Sequence, residues 1–184
     1  MSPAREQILQ TTGALLERQG CHATGLNEII RESGAPKGSL YYYFPAGKDQ
    51  LVAEAVLEGA RGVAERIRAN MADLGLEGFV MRIADGVEAS GYAAGSPLTA
   101  VAMETATTNE RINLACREAY GMIVAAFRDG LVEQKPGEEG AAALALFVTA
   151  AVEGGIILSR TQHDATPLRV IAAQLGRLEH REGS

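Results

Sequence analysis

Tryptophan is absent from the chain, and four phenylalanines and five tyrosines are its only aromatic residues. A core without many large rings must be built from small aliphatic side chains, which favours closely packed helices over a β-sandwich. Cysteine is scarce as well. Cys21 and Cys116 lie far apart, form no Cys-x-x-Cys pair and have no histidine at ligand spacing. The plain expectation for both is a reduced, partly buried thiol, with redox sensing as the rival reading.

No run of about 18 uncharged apolar residues occurs, and Met1 to Leu9 lacks the apolar core of a signal peptide. A cytoplasmic protein with no membrane partner is therefore expected. Patterns of catalysis are missing too. His22, His163 and His180 are scattered, there is no Gly-x-Ser-x-Gly and no Walker-type loop, and Glu138-Glu139 reads as a solvated pair in a turn. The chain is expected not to be an enzyme, and to need neither cofactor nor metal.

What is present is a chain of 184 residues, 47% hydrophobic and 22% charged, enough for one core or for a small head on a larger one. The formal charge of −6 argues at first against nucleic acid, whose phosphates need neutralising. The charge is uneven, however. Residues 1–48 hold five basic and four acidic residues, so the other 12 basic and 19 acidic residues put the acidity in the rest of the chain. The first quarter is not repelled by a polyanion, although no basic run marks it.

Helical periodicity dominates. Ser2 to Gly20 carries Ile8, Thr12, Leu15, Leu16 and Gln19 at helical intervals, with Pro3 in a first turn that tolerates it and Gly20 as a stop. Asn27 to Ser33 makes a second, short helix, with Leu26, Ile29 and Ile30 inward and Gly34 ending it. Ala35-Pro36-Lys37-Gly38-Ser39 then fixes a turn and opens a third helix through Leu40 to Phe44. Two short helices joined by a glycine-containing turn are a helix-turn-helix.

Further helices are expected from Lys48 to about Asn70, Leu76 to Ala89, Leu98 to Ala106, Asn109 to about Glu133, Ala141 to Arg160 and Pro167 to about Leu178. A loop falls at Gly91 to Pro97, a turn at Gln134-Lys135-Pro136-Gly137 and a frayed polar tail at the end. Nothing alternates with period two over a convincing length, and no repeat appears. The chain reads as all-α, about nine helices, divided into a head (1–47) and a larger domain (48–184).

The informative run is Gly34 to Lys48, which contains Tyr41-Tyr42-Tyr43. Successive helical side chains are separated by about 100°, so three consecutive tyrosines cannot all face one core. A phenol left outside, beside Lys37, Ser39 and Lys48, can reach phosphate, and Lys and Ser near the helix start can reach base edges. Without a side chain, Gly38 lets the helix approach a groove floor. Residue by residue the alternative is ordinary packing with a solvated lysine, or a surface for a protein partner; the run in its turn context favours DNA.

Here the sequence resembles the TetR family of repressors. Glu28-Ile29-Ile30, the run Ser33 to Phe44 and Lys48-Asp49-Gln50-Leu51 match the family's head over residues 5 to about 55. Cys21 to Asn27, Phe44 to Lys48 and Gly95-Ser96-Pro97-Leu98 look like the subgroup similar to the lincomycin-resistance repressor. Tyr43 stands where many members have His. Pro45-Ala46-Gly47 is one residue longer than the commoner connection, which bears on where Lys48 points.

The resemblance implies a homodimeric, ligand-responsive repressor that binds an inverted-repeat operator in double-stranded DNA and is released by a small, hydrophobic inducer. It implies base-edge reading by Lys37 and Gly38, helped by Ser39, and backbone contacts from Thr24, Tyr41, Tyr42, Tyr43 and Lys48. It implies dimerisation through the last two helices, and Ala141 to Arg160 indeed carries more apolar surface than a small monomer needs to hide. A ligand pocket is expected among the helices after residue 70, with Met103, Glu104, Tyr120, Phe127, Phe147 and Glu153 as candidates. Met103, Phe127 and Phe147 sit in apolar context and read first as simple core. Glu153 interrupts an apolar run and needs a partner, either an arginine across the dimer or a cationic ligand.

Overall fold

The computed structural model of the chain describes residues 2–132 and 138–181. The described elements are eight helices and no strand: α1 (Pro3–Ala23), α2 (Leu26–Ser33), α3 (Lys37–Tyr43), α4 (Lys48–Ala89), α5 (Pro97–Thr105), α6 (Glu110–Val132), α7 (Glu138–Gln162) and α8 (Thr166–Arg181). The all-α expectation therefore holds. The difference between eight and about nine turns on Gly75, whose φ of 64° and ψ of −176° interrupt α4 without ending it. Residues 71–74, expected to link two helices, are helical, and the break is confined to one residue. The turn Gln134-Lys135-Pro136-Gly137, the side chains of Glu138-Glu139 and the tail at 182–184 lie outside the described residues.

By packing, the chain forms two compact units, Met1–Arg61 with Ser96–Tyr120, and Gly62–Gly95 with Gly121–Ser184. No packing boundary falls after residue 47, where the sequence reading divides head from body. In the first unit α1 packs on α2, α3 and α5. Ile8, Leu15 and Leu16 of α1, Ile29, Leu40, Phe44, Leu51, Val101 and Ile112 are wholly or almost wholly buried. Each such aliphatic side chain contributes about 1.5–3 kcal/mol to folding, so this apolar set holds the short helices α2 and α3 that propensity alone would not.

In the second unit α7 packs on α8. The approach is close: a Cβ on Gly155 would fall 2.6 Å from Ile171 and 2.8 Å from Leu168. Phe79 and Phe127 meet edge to face, their centroids 5.7 Å apart. Along α7, Ala145, Val148, Thr149 and Val152 are buried, while Leu146, Phe147, Ile157 and Leu158 are exposed in the protomer. By length and hydropathy Gly140–Gln162 would also suffice to cross a membrane, a property that core helices of soluble proteins share.

Candidate nucleic-acid interface

The connection between α2 and α3 is Gly34-Ala35-Pro36. Gly34 takes φ 64° and ψ 5°, the left-handed conformation that a helix C-terminus asks of a glycine. The Ala35 N–H donates to Ser33 Oγ at 3.3 Å. Pro36, with φ −56°, starts the next helix.

Over its seven residues α3 has two sides. Leu40 inside it and Phe44 just after it are fully buried. On the other side Lys37 and Gly38 are exposed and Ser39 is half-buried. Tyr41 is 47% exposed and Tyr42 78%, so neither phenol is a packing residue. The Tyr43 ring stands edge-on to that of Tyr42, 5.0 Å between centroids. A Cβ on Gly38 would meet nothing within 4 Å, so packing inside the chain does not demand glycine there.

A polar network fixes the far end of α3. The Gln50 side-chain oxygen accepts the Ala46 N–H at 2.9 Å, and its nitrogen donates to Tyr43 O at 3.4 Å and to Glu54 Oε1 at 2.8 Å. Glu54 pairs with Arg5, whose guanidinium lies 5.6 Å from the centroid of Phe44. The Tyr43 hydroxyl donates to Ser2 Oγ at 2.8 Å. Sequence reasoning missed Ser2, Arg5, Gln50 and Glu54, since nothing in their spacing relates one helix to another.

Thr24 and Lys48, expected to touch the DNA backbone, are turned into the head. Thr24 is fully buried and its hydroxyl donates to Gly20 O at 2.6 Å, while Lys48 Nζ donates to Cys21 O at 2.7 Å. Both bonds close the end of α1, which is broken at Gly20 (φ 78°, ψ 179°) and stops at Ala23. Gly20 O and Cys21 O belong to the last turn, whose carbonyls have no partner one turn on: Cys21 O takes the Thr24 N–H at 3.3 Å as well as Lys48, and Gly20 O takes the Thr24 hydroxyl. The edge formed by Lys37, Gly38, Ser39, Tyr41 and Tyr42 remains, with Tyr43 at its end.

The six expected ligand residues are divided between the units. In the first, Met103 is 80% exposed. The Glu104 carboxylate accepts the His22 N–H at 2.7 Å, and the Tyr120 hydroxyl lies 3.2 Å from Thr99 Oγ1. In the second, Phe127 is buried against Phe79, Phe147 is 56% exposed and Glu153 is half-buried. Met103 and Phe147 thus face outward in the protomer, and Glu104 is engaged with backbone. Cys21 and Cys116 are free and buried. Burial raises both thiols above their ordinary range, Cys116 to about 11. Such thiols are protonated and unreactive near neutrality. Among the described residues no cluster of three or more His, Cys, Asp or Glu is placed to hold a metal ion.

Two family models match the chain: bacterial regulatory proteins of the tetR family over residues 8–55, and the C-terminal domain of LmrA/YxaF-like transcriptional regulators over 74–174. The chain is similar along nearly its whole length to two proteins of Bacillus subtilis (strain 168). The HTH-type transcriptional regulator YxaF is 38% identical over 185 residues, covering 98% of this chain and 97% of that protein. The HTH-type transcriptional regulator LmrA is 38% identical over 179 residues, covering 92% and 93%. Among solved structures, a regulatory protein TetR from Rhodobacter sphaeroides superposes with a TM-score of 0.83 at 19% identity, over 96% of this chain and 98% of that one. The reduced form of E. coli NemR gives 0.82 at 19%, over 96% and 97%. At such identities these two likenesses speak for the fold alone.

Proposed function

The chain belongs to the TetR family of bacterial regulatory proteins, with a C-terminal domain of the LmrA/YxaF type, and we propose that it is a repressor that grips an inverted-repeat operator as a dimer and lets go when a small molecule binds. The observation that carries this reading is the divided α3: Leu40 and Phe44 hold it from behind while Lys37, Gly38, Tyr41 and Tyr42 are exposed, with Ser39 half-buried among them. Lys37 and Ser39 are suited to base edges and Tyr41 and Tyr42 to phosphate, with Gly38 keeping the backbone close to the groove.

One head reads only half a site, so the reading needs two. Leu146, Phe147, Ile157 and Leu158 on α7 and Val170 on α8 are each at least 48% exposed in the protomer. An apolar set of that extent in two helices suits burial against a second copy. A two-fold axis then sets the recognition helices about 34–36 Å apart, one turn of DNA. An inducer acts only through its difference in affinity for the gripping and released states. A hydrophobic ligand suits a domain of mainly small aliphatic residues. Work of this kind is done in the cytoplasm.

Titrating the purified protein with duplex from its own upstream region, at rising salt, tests the proposal. A repressor binds that duplex in preference to unrelated DNA, with affinity falling steeply as salt rises. A helical adaptor using the same surface for a protein partner shows neither.

A further inference from the structure

The break in α1 is reached by a side chain far away in sequence. Glu104, in α5, accepts the His22 N–H at 2.7 Å with the same Oε2 that lies 2.9 Å from His22 Nδ1. Its other oxygen lies against Gly20, where a Cβ would be 2.1 Å from Oε1. Any other residue at position 20 would displace the carboxylate, apart from being strained at φ 78°.

The contact is one link of a closed ring. Cys21 O accepts Lys48 Nζ at 2.7 Å, and the neighbouring Asp49 Oδ2 accepts Asn109 Nδ2 at 2.7 Å. Asn109 in turn caps α6, taking the Ile112 N–H at 3.1 Å. Glu104 and Asn109, five positions apart, are therefore the two points from which this segment holds the head: one at the α1–α2 corner, one at the start of α4. Three residues after His22 lies Gly25, the N-cap of α2, and α2 carries α3 through a three-residue turn. α2 and α3 both pack on α1, so the angle at Gly20 bears on where α3 lies.

We propose that Glu104 is a positioning residue for operator binding, its carboxylate fixing the α1–α2 corner through the His22 amide and so setting the angle at which α3 meets DNA. The inference rests on the repressor reading. It also gives a new role to a residue whose chemistry suggested a ligand anchor.

Base edges tolerate misalignment poorly, whereas phosphate contacts tolerate it well. Glu104→Ala is therefore expected to weaken specific operator binding roughly ten- to a hundredfold, as the loss of one charged hydrogen bond allows, and to weaken binding to unrelated duplex far less. Glu104→Gln keeps an acceptor oxygen at the same reach and is expected to restore most of the preference. A residue with a stabilising role alone would instead lower both affinities together, through the folded fraction. Should the alanine variant not fold, Glu104→Asp, one methylene short of the His22 amide, is read in the same way. Hydrogen exchange judges the corner without DNA: amides from 20 to 36 are expected to exchange faster in the alanine or aspartate variant than in the wild type. Wild-type operator preference in that variant, a glutamine variant as impaired as alanine, or unchanged exchange over 20–36 would each overturn the proposal. A wild type with no operator preference, but with the expected exchange difference, would sink the repressor reading and leave the corner's role standing.

Discussion

The side-chain oxygen of Gln50 accepts the Ala46 N–H at 2.9 Å, and so closes the loop that follows the recognition helix. The same carboxamide donates to Tyr43 O and to Glu54, which makes both faces of the amide necessary. Gln50→Ala removes all three bonds, at about 1 kcal/mol each at most, and is expected to lower the urea midpoint and operator affinity together. Gln50→Glu keeps an acceptor but sets a second carboxylate against Glu54. It is expected to be worse than alanine, and a glutamate variant that is better would remove the network from the account.

Gly38 separates packing from recognition more cleanly than any other residue of α3. Because a Cβ there meets nothing within 4 Å, Gly38→Ala is expected to fold normally and to gain about 0.5–1 kcal/mol from helix propensity. Operator affinity is expected to fall about tenfold or more, since the methyl occupies the space between backbone and groove floor. Thermal melting beside fluorescence anisotropy checks both halves. A variant that gains stability and binds as before would show that α3 does not approach DNA along this edge.

These two residues also mark what could be read in advance. The α2–α3 turn was legible because it is local: Gly34, Pro36 and the apolar spacing of Ile29, Leu40 and Phe44 determine it within 16 residues of chain. The outward tyrosines followed from helical rotation alone. The ties that aim the head were not legible, since Arg5 meets Glu54 across 49 positions and His22 meets Glu104 across 82. Only the folded chain shows that Thr24 and Lys48 serve carbonyls at the end of α1, or that Glu104 faces the head. An isolated polar residue on a helix carries no mark of which partner it will find.

Lys37 and Tyr42 divide the work of binding differently. If Lys37 reads a base edge, Lys37→Ala is expected to relax discrimination at that position by about 1–3 kcal/mol. Tyr42→Phe removes only a hydroxyl from a ring that is 78% exposed. It is expected to weaken operator and unrelated duplex to the same degree and to leave melting unchanged. Competition binding against single-base operator variants distinguishes the two patterns, and a Lys37→Ala protein with undiminished selectivity would reassign the lysine to phosphate.

The outward apolar residues of α7 give a test that leaves the head untouched. A charge introduced within an apolar interface is left buried without a partner, a cost of several kcal/mol. If the proposed dimer is built on this face, Phe147→Glu and Ile157→Glu are expected to leave a folded monomer at micromolar concentration where the wild type is dimeric, read by light scattering. Operator binding is expected to weaken sharply and to lose its two-site character, while helical content by circular dichroism stays. Dimers that survive both substitutions would put the two-fold axis on another face.

Burial also makes a prediction about alkaline stability. The Cys116 thiol is pushed up to about 11 from an ordinary 9.0, by burial first and by the nearby Cys21 second. A raised value means that the folded chain keeps a proton which the unfolded chain gives up. The resulting stabilisation is complete below pH 9 and is lost as pH rises towards 11, at no more than about 1.4 kcal/mol per pH unit. Other titrating groups are common to the wild type and Cys116→Ala, so they cancel in the difference between their unfolding free energies. That difference is expected to be constant from pH 6 to 8 and to shrink between 9 and 11. A difference independent of pH over the whole range would mean that the site admits the thiolate as readily as water does, contrary to a side chain 2% exposed.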